Sequence, residues 1–239
     1  MENLSGEPRT LFVELIGPAG AGKTTLSRAL TQANEKVAIG APLQLRKLRQ
    51  LPFFLRRALP MAPMFATSKR NGRRFTWEEV KAFVYVNGWH QVLKRGAARN
   101  LTAILLDHGP VFQLASLKEF GPEILKERVF DTWWDKILKQ WALTLDILIW
   151  LDAPDRILLD RINSRAQRHV VKARQEKEAY EFLARYRRAY EEIIAKLTAK
   201  GDPRLLLFDT SQKSLEDIVE ALLAVFDPES LASPQVNRS

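Results

Sequence analysis

Short apolar runs recur along the chain, and longer stretches with apolar residues every three or four positions separate them. Four runs lack the alternation of apolar and polar residues that a half-exposed strand shows, so they predict parallel strands buried on both faces. The four runs are Leu11 to Ile16, Leu101 to Leu106, Ile147 to Leu151 and Leu205 to Phe208, with Val37 to Ile39 as a weaker fifth. Strands that alternate with helices predict a three-layer α/β fold, in which helices cover both faces of a parallel sheet.

Capping boxes mark where two of the helices begin, because a Ser or Thr followed three residues later by an acidic residue satisfies free N–H groups there. The pairs are Thr76 with Glu79, before a helix from Trp77 to about Lys94, and Ser214 with Asp217, before a helix that ends near Phe226. A long helix from about Gln175 to Lys200 carries an apolar stripe, which we interpret as core.

Composition fits one globular domain over residues 1–226, followed by a flexible tail over 227–239. The chain has 239 residues, of which 46% are hydrophobic and 27% charged. It has no cysteine, which excludes disulfides and thiolate zinc sites, and its three histidines leave little from which to build a metal centre. The longest apolar runs are strand-sized, and Glu2 and Glu7 stand where a secretory signal would be basic, so we expect a cytoplasmic protein that is soluble or at most peripheral to a membrane surface.

Positive charge is concentrated in one segment. The formal net charge is +9, and ten basic residues but no Asp or Glu lie between Lys36 and Trp77, so the rest of the chain is close to neutral. The ten are Lys36, Arg46, Lys47, Arg49, Arg56, Arg57, Lys69, Arg70, Arg73 and Arg74.

The residues that follow the first predicted strand carry the most specific motif. Gly17-Pro-Ala-Gly-Ala-Gly22-Lys23-Thr24-Thr25 fits the P-loop pattern G-x-x-x-x-G-K-[ST], and the helical stretch Leu26 to Ala33 follows it. Its glycines let successive N–H groups point at phosphate oxygens, while Lys23 reaches the β- and γ-phosphates and Thr24 offers a hydroxyl to Mg²⁺. The predicted nucleotide-binding residues of the loop are Gly17, Gly20, Ala21, Gly22, Lys23, Thr24 and Thr25.

Carboxylates follow two further strands, at the edge where α/β sheets bind ligands. Asp107 precedes His108-Gly109-Pro110, and it could hold Mg²⁺ through water or accept a proton from an attacking hydroxyl; the alternative is an aspartate that caps a helix or a turn. Asp152 precedes Ala153 and Pro154, and for it a helix-capping role is an equal alternative. The roles of Asp152 and His108 stay open.

A basic stretch over 161–175 predicts a lid that closes over a transferring phosphoryl group. Its basic residues are Arg161, Arg165, Arg168, Lys172 and Arg174. The first three are spaced to share one helical face, so three guanidinium groups would form a clamp. The alternative is a solvated basic face that pairs with nearby glutamates such as Glu176 and Glu178.

The order of these parts resembles the thymidylate kinase-like and deoxynucleoside kinase branch of the P-loop phosphotransferases, over most of Leu11 to Phe226. Four segments carry the resemblance: the P-loop, the Asp107-His108 strand end, the run Leu151-Asp152-Ala153-Pro154 that leads to Arg161 and Arg165, and the run Phe208-Asp209-Thr210-Ser211-Gln212.

The resemblance implies a P-loop NTPase fold with an arginine-bearing lid and, as cofactors, ATP and Mg²⁺. It implies that Asp107 acts at the acceptor and, with Thr24, at magnesium, and that Arg161 and Arg165 belong to the lid. By the same resemblance, Thr210 and Ser211 lie near the adenine base. The implied catalytic residues are Lys23, Asp107, Arg161 and Arg165.

The acceptor half departs from the thymidylate kinase pattern at three places. Asp107-His108 stands where Asp-Arg is usual, and Gly40-Ala41-Pro42 replaces an Arg-Glu-Pro run. The stretch from Phe83 to His90 lacks the arginine that grips the nucleotide phosphate. We therefore expect a kinase whose acceptor is not TMP.

The basic segment falls in this acceptor half, and residues 43–74 interleave Leu, Phe and Met with Arg and Lys. Its prolines predict short, broken amphipathic helices. Three interpretations stay open: a pocket for an anionic acceptor lined by Phe53, Phe54 or Phe65; a patch over 46–74 that docks on acidic lipid or polymer; and an amphipathic cap over the core. His90 could contact the acceptor or be a packed histidine.

The leading interpretation is an ATP- and Mg²⁺-dependent kinase for a small acceptor, anionic or aromatic, of the nucleoside or nucleotide kinase type. The alternatives are a regulatory or membrane-surface NTPase and an enzyme that phosphorylates nucleic-acid ends. The chain has neither an Asn-Lys-x-Asp run nor an Asp-x-x-Gly run after its strands, which disfavours a GTPase switch. The acceptor, the pathway and the oligomeric state, a homodimer included, stay open.

Overall fold

The computed structural model describes residues 9–40, 50–62, 73–96, 100–165, 172, 175–201 and 203–227. Within these ranges the centre is a sheet of five strands, all paired in parallel, in the order β2-β3-β1-β4-β5. The strands are β1 (Leu11–Ile16), β2 (Val37–Ile39), β3 (Ala103–Asp107), β4 (Ile147–Asp152) and β5 (Arg204–Asp209). The predicted α/β fold with a parallel sheet is confirmed.

Helices cover both faces of this sheet. In the described ranges they are α1 (Lys23–Ala33), α2 (Leu51–Ala58), α3 (Trp77–Val86), α4 (Trp89–Gly96), α5 (Pro110–Phe120), α6 (Asp131–Ala142), α7 (Asp155–Ser164), α8 (Glu176–Thr198) and α9 (Leu215–Phe226). Short 3₁₀ turns lie at Leu59–Met61, Glu123–Lys126 and Arg128–Phe130. Both predicted capping boxes are present, at Thr76 and at Ser214.

The alternation of side chains along β1 divides the core into two halves. Leu11, Val13 and Leu15 join the half that α1, α7 and α9 cover. Phe12 and Ile16 join the other half, which α3, α5 and α6 cover. All six residues of β1 are buried, because the strand lies at the centre of the sheet with helices on both sides.

The predicted single helix from Trp77 to Lys94 is wrong, because the helix breaks at Asn87 and Gly88. The Asn87 side chain donates to the Phe83 carbonyl at 2.7 Å and accepts from Trp133 Nε1 at 3.0 Å. Asparagine competes in this way with the backbone bonds of a helix. A Cβ on Gly88 would lie only 3.0 Å from the Phe53 ring, so the break also lets α2 approach.

Strand β5 differs from the prediction of a strand buried on both faces. It lies at the edge of the sheet, and its side chains alternate between half-buried and exposed. Leu206 and Phe208 pack against the core, whereas Leu205 and Leu207 are exposed. An apolar run on an edge strand has the same composition as a central one, so the sequence could not distinguish the two.

The described part of the basic segment forms α2 and the 3₁₀ turn after it, as the prediction of short broken helices requires. Phe54 is buried against Trp77 and Phe53 packs edge-on against Trp89, so this helix caps the core. Residues 41–49 and 63–72, which hold Phe65 and five of the ten basic residues, lie outside the described residues. None of the helices placed in the described ranges has the length and apolar character that crossing a bilayer requires.

Candidate functional site

The loop between β1 and α1 adopts a backbone that favours glycine. Gly17, Gly20 and Gly22 have φ angles of 132°, 87° and 93°. A Cβ on Gly17 would lie 1.9 Å from the Leu151 carbonyl oxygen, and one on Gly20 would lie 2.7 Å from that of Leu158. The motif glycines therefore let the loop pass close to the backbone of β4 and α7.

Lys23 begins α1 and turns its side chain back over this loop. Its Nζ donates to the carbonyl oxygens of Gly17 at 2.7 Å and Pro18 at 2.8 Å. Burial lowers the pKa of Lys23 to about 8, while the nearby Asp107 carboxylate acts in the opposite direction. The ammonium group is thus held over the loop where an anion would raise its pKa again.

Asp107 ends β3 and faces the start of α1. Thr24 Oγ1 donates to Asp107 Oδ2 at 3.1 Å. The other oxygen, Oδ1, is buried without a hydrogen-bond partner, and His108 Nε2 lies 3.7 Å from it. A buried carboxylate oxygen without a donor leaves a negative charge available to a cation or to a hydroxyl proton.

Thr24 and Asp107 fit a magnesium ion by their chemistry. Mg²⁺ takes hard oxygen ligands and is bound through one or two carboxylates together with substrate phosphates, so it needs no cage of protein ligands. The described residues contain no cluster of three or more His, Asp or Glu side chains able to hold a metal. The Thr24 hydroxyl and Asp107 Oδ2 are the groups that would hold the ion, which leaves the unpartnered Oδ1 for a proton.

A cavity of about 520 Å³ opens beside the loop. Gly17, Lys23, Thr24 and Asp107 are among the residues that line it. Five ring side chains from α5, α8 and the residue after β3 also line it, and we call them the aromatic wall. The residues of the aromatic wall are His108, Phe112, Phe182, Tyr186 and Tyr190. His108 stacks on Phe112 with ring centroids 4.4 Å apart. The cavity therefore suits a molecule with a charged end and a flat apolar body.

A second cavity, of about 380 Å³, lies on the other side of the loop and shares Gly20, Gly22 and Arg165 with the first. Arg161 donates to Thr210 twice, from Nη1 to Oγ1 and from Nη2 to the carbonyl, each at 2.8 Å. Thr210 Oγ1 also donates to the Asp152 carbonyl at 3.0 Å. These bonds fix the turn after β5 against α7.

Most of the site residues predicted from the sequence line one of the two cavities or both. Those that line one or both are Gly17, Gly20, Ala21, Gly22, Lys23, Thr24, Thr25, Asp107, Arg161, Arg165 and Thr210. Ser211 lines neither of these cavities, and its hydroxyl and N–H both donate to Asp209 Oδ1. The roles of these residues stay predictions.

The expectation that Arg161, Arg165 and Arg168 share one helical face is wrong. Helix α7 ends at Ser164, and Arg165 is already extended, with φ −74° and ψ 143°. Its carbonyl accepts a hydrogen bond from Lys172 Nζ. Arg168 and Arg174 lie outside the described residues, so of the predicted clamp only Arg161 and Arg165 are seen at the cavities.

Asp152 does not cap a helix, because α7 begins at Asp155 with Pro154 before it. Its carboxylate instead accepts from Arg187 Nε at 2.8 Å and Nη2 at 2.9 Å. Arg187 also pairs with Asp155, and its carboxylate partners raise its pKa. Arg187 lies far along the chain on α8, so no local pattern in the sequence indicated this pair.

His90 is half-buried against Trp141 of the core and lines neither of these cavities. It bonds Gln140 and lies edge-on to Trp141, and burial lowers its pKa to about 4. Phe83 and Trp89 are also buried in the core. No described residue of the basic segment lines either of these two cavities. The interpretation of an acceptor pocket lined by Phe53, Phe54 or Phe65 stays a prediction.

Solved structures match this chain over nearly its whole length. A deoxyadenosine kinase from M. mycoides with the products dCMP and a flexible dCDP bound is 17% identical, with a TM-score of 0.53, covering 90% of this chain and 98% of that one. A second structure of that kinase, with bound dATP, has a TM-score of 0.51 at 17% identity and covers 89% and 99%. The chain has the P-loop kinase fold. The predicted resemblance is thereby confirmed at the level of the fold. No family model and no curated protein sequence matches the chain.

Sequence reasoning missed Glu14, a fully buried carboxylic acid in the middle of β1. Its two oxygens accept from the N–H groups of Val111 at 2.9 Å and Phe112 at 3.0 Å, in the first turn of α5. Burial raises the pKa of Glu14 to about 8, although these two bonds act to lower it. Gly109 caps α5 without a side chain, so Glu14 supplies from another strand the cap that the local sequence lacks.

The raised pKa of Glu14 predicts that the protein loses stability as the pH rises from 6.5 to 8. The unfolded carboxyl ionises near its ordinary pKa of 4.5 while the folded one keeps its proton until about 8, so the unfolded state binds fewer protons in this window. The free energy of unfolding should fall by up to about 1.4 kcal/mol per pH unit. Two groups act in the opposite direction. His90 does so between its folded pKa of about 4 and its ordinary 6.5, and Lys23 does so from near its folded pKa of about 8 up to its ordinary 10.5.

Urea unfolding at several pH values checks this prediction, with Glu14→Gln as the test variant. Glu14→Gln should flatten the dependence between pH 6.5 and 8. It should also be less stable at low pH by about 1–3 kcal/mol, because its amide N–H₂ opposes a backbone donor. An unchanged slope in Glu14→Gln would assign the pH dependence to another group.

Proposed function

We propose that this protein is an ATP- and Mg²⁺-dependent phosphotransferase that moves the γ-phosphoryl group of ATP to a hydroxyl of a small acceptor. The observation that carries the proposal is the pairing of the phosphate loop with Asp107 in one cavity, directly next to a second cavity at Arg161 and Thr210. A nucleotide that ran from the second cavity to the first would bring its last phosphate beside Asp107.

The residues supply what phosphoryl transfer requires, which is positioning and charge compensation. The loop N–H groups and Lys23 would hold the phosphates, and Arg161 and Arg165 would neutralise charge on the transferred group. Thr24 and Asp107 would hold Mg²⁺, which when bound polarises the phosphate oxygens. Thr210, fixed by Arg161, would lie beside the adenine base.

Asp107 would receive the proton of the attacking hydroxyl. In that step the acceptor oxygen forms a bond to the γ-phosphorus, the bond from that phosphorus to the bridging oxygen breaks, and ADP leaves with the bonding pair. The hydroxyl proton passes to the unpartnered Oδ1 of Asp107.

The aromatic wall favours an acceptor with a flat ring, such as a nucleoside, over a flexible sugar. The deoxyadenosine kinase structures support this class of acceptor by their fold. The proposal does not include TMP as an acceptor, because Phe83 and its neighbours in α3 are buried in the core and offer no arginine to a nucleotide phosphate.

ADP release by the pure protein with Mg-ATP tests the proposal across a panel of nucleosides, nucleotides including TMP, sugars and acidic lipids. We expect at least one nucleoside to raise ADP release well above the rate without acceptor, and TMP not to do so. Lys23→Ala is the site control, because it removes the phosphate-binding ammonium group and should abolish the acceptor-dependent rate.

If no acceptor raises the rate above the intrinsic ATPase rate, the phosphotransferase proposal fails and an NTPase that acts on a protein or membrane partner gains support. If only nucleic-acid ends are phosphorylated, with binding that falls steeply as salt is added, the small-acceptor part of the proposal fails.

A further inference from the structure

Helix α2 has apolar residues on two sides, and only those on its inner side pack against the core. Its inner side packs on the core through Phe53 and Phe54. Its outer side carries a leucine row, which we define as Leu51, Leu55 and Leu59. These residues are spaced four apart, so they lie along one face. They are 39%, 45% and 65% exposed.

Trp77 is a further exposed apolar residue in contact with α2. It is 57% exposed, and its ring lies 5.4 Å from that of Phe54. A half-exposed tryptophan that packs on a helix with three exposed leucines is unusual for a surface that meets only water, since contiguous apolar patches commonly mark interaction sites.

The segment that contains the leucine row is basic. No acidic residue lies between Lys36 and Trp77 in the sequence, and five of its ten basic residues lie within the described ranges. Arg56 is exposed on α2 itself, and Arg74 is exposed three residues before Trp77. Glu78 and Glu79, which follow the segment, are paired with Lys81 and Arg73. The surface therefore offers positive charge next to exposed apolar side chains.

We infer that α2 and Trp77 form a docking surface for an anionic lipid membrane. A membrane takes both features, because leucine and tryptophan side chains enter the interface while arginines meet lipid phosphates. Nucleic acid would use the arginines but gain nothing from the leucine row. A second copy of this chain, docked through the same face, would bring two basic segments together and would be repelled.

The surface is separate from the proposed phosphotransferase site, since no residue of the leucine row lines either cavity. Docking therefore needs neither ATP nor an acceptor. The inference stands whether or not the proposed function is correct, and it is tested without turnover.

Co-sedimentation with vesicles tests the inference. We compare vesicles of phosphatidylcholine alone with vesicles in which phosphatidylglycerol replaces part of it, at low and high NaCl. The protein should bind the anionic vesicles, bind the neutral ones weakly, and dissociate as salt is added. The variant in which Leu51, Leu55 and Leu59 are all replaced by serine should bind anionic vesicles at least about tenfold more weakly.

Matched controls test whether vesicle binding depends on the leucine row or on any exposed apolar residue. Val129 and Leu143 are 75% and 65% exposed and lie outside the basic segment, so Val129→Ser with Leu143→Ser should bind like the natural protein. Arg56→Gln with Arg74→Gln should weaken binding about fivefold per charge removed. Far-ultraviolet circular dichroism checks that every variant is folded; the exposed positions make this the expected result.

Two outcomes would overturn the inference: no binding of the natural protein to anionic vesicles, or equal losses of vesicle binding in the leucine-row variant and in the Val129/Leu143 control. If the first is found while an oligonucleotide binds the natural protein and the leucine-row variant equally, the surface binds nucleic acid. A blue shift of tryptophan emission on vesicle binding that is lost in Trp77→Phe would support the inference independently.

Discussion

Asp107→Asn should reduce kcat for the acceptor-dependent reaction about a thousandfold, the range in which the loss of a positioned general base falls. Asparagine keeps the shape of the side chain and can still accept from Thr24, so the site should keep its structure. It lacks the negative charge that the carboxylate offers to a hydroxyl proton at Oδ1 and to Mg²⁺ at Oδ2. Steady-state kinetics at saturating acceptor measure kcat separately from KM.

Asp152→Asn is the matched control for this prediction. Asp152 also ends a parallel strand, but its carboxylate is committed to Arg187 and lines neither cavity. We expect Asp152→Asn to leave kcat unchanged and to lower the free energy of unfolding by about 1–3 kcal/mol, because Arg187 loses a charged acceptor. If Asp107→Asn kept more than a tenth of kcat, Asp107 would have no role as a base.

Gly17→Ala should destabilise the protein by more than about 4 kcal/mol, an exceptional loss for one methyl group. The added Cβ would lie 1.9 Å from the Leu151 carbonyl oxygen. Neither residue can move away easily, because the paired strands β1 and β4 hold the backbone next to both in place. The φ angle of 132° adds strain for any residue with a side chain. Urea unfolding without nucleotide measures the loss independently of function.

Gly22→Ala separates the steric contact from the backbone strain. Gly22 also has a positive φ, of 93°, but a Cβ there would meet nothing within 4 Å. Gly22→Ala should therefore lower the free energy of unfolding by only about 1–3 kcal/mol. Should the two alanine variants prove equally stable, the approach of the loop to β4 would not be what requires glycine at position 17. If Gly17→Ala yields no folded protein while Gly22→Ala does, the prediction holds.

Local features were predictable because neighbouring residues carry them. The phosphate loop, both capping boxes and the central strands depend on backbone preferences and apolar runs within a few residues, and the structure has them at the expected positions. The end of α7 was not predictable in the same way. The spacing of Arg161 and Arg165 fits a helix whether or not the helix continues, and here the chain extends at Arg165.

Features that join distant parts of the chain were missed. In the sequence, Glu14 is a charged residue within an apolar strand and has no local partner. Its role depends on α5, whose first turn brings two N–H groups to its carboxyl group. Asp152 and Arg187 are 35 residues apart, and the aromatic wall is assembled from α5 and α8. Such contacts depend on which helix covers which face of the sheet, and one sequence without its packing does not contain that information.

The two cavities meet at Gly20, Gly22 and Arg165, and this continuity offers a route to inhibitors. A compound with adenosine at one end and a flat aromatic group at the other, joined by a chain of phosphates, would fill both cavities at once. Its second half would bind as an intramolecular partner, so its affinity should exceed that of either half by orders of magnitude. A set of such compounds that differ only in the aromatic end would rank candidate acceptors by binding alone, before any turnover is detected.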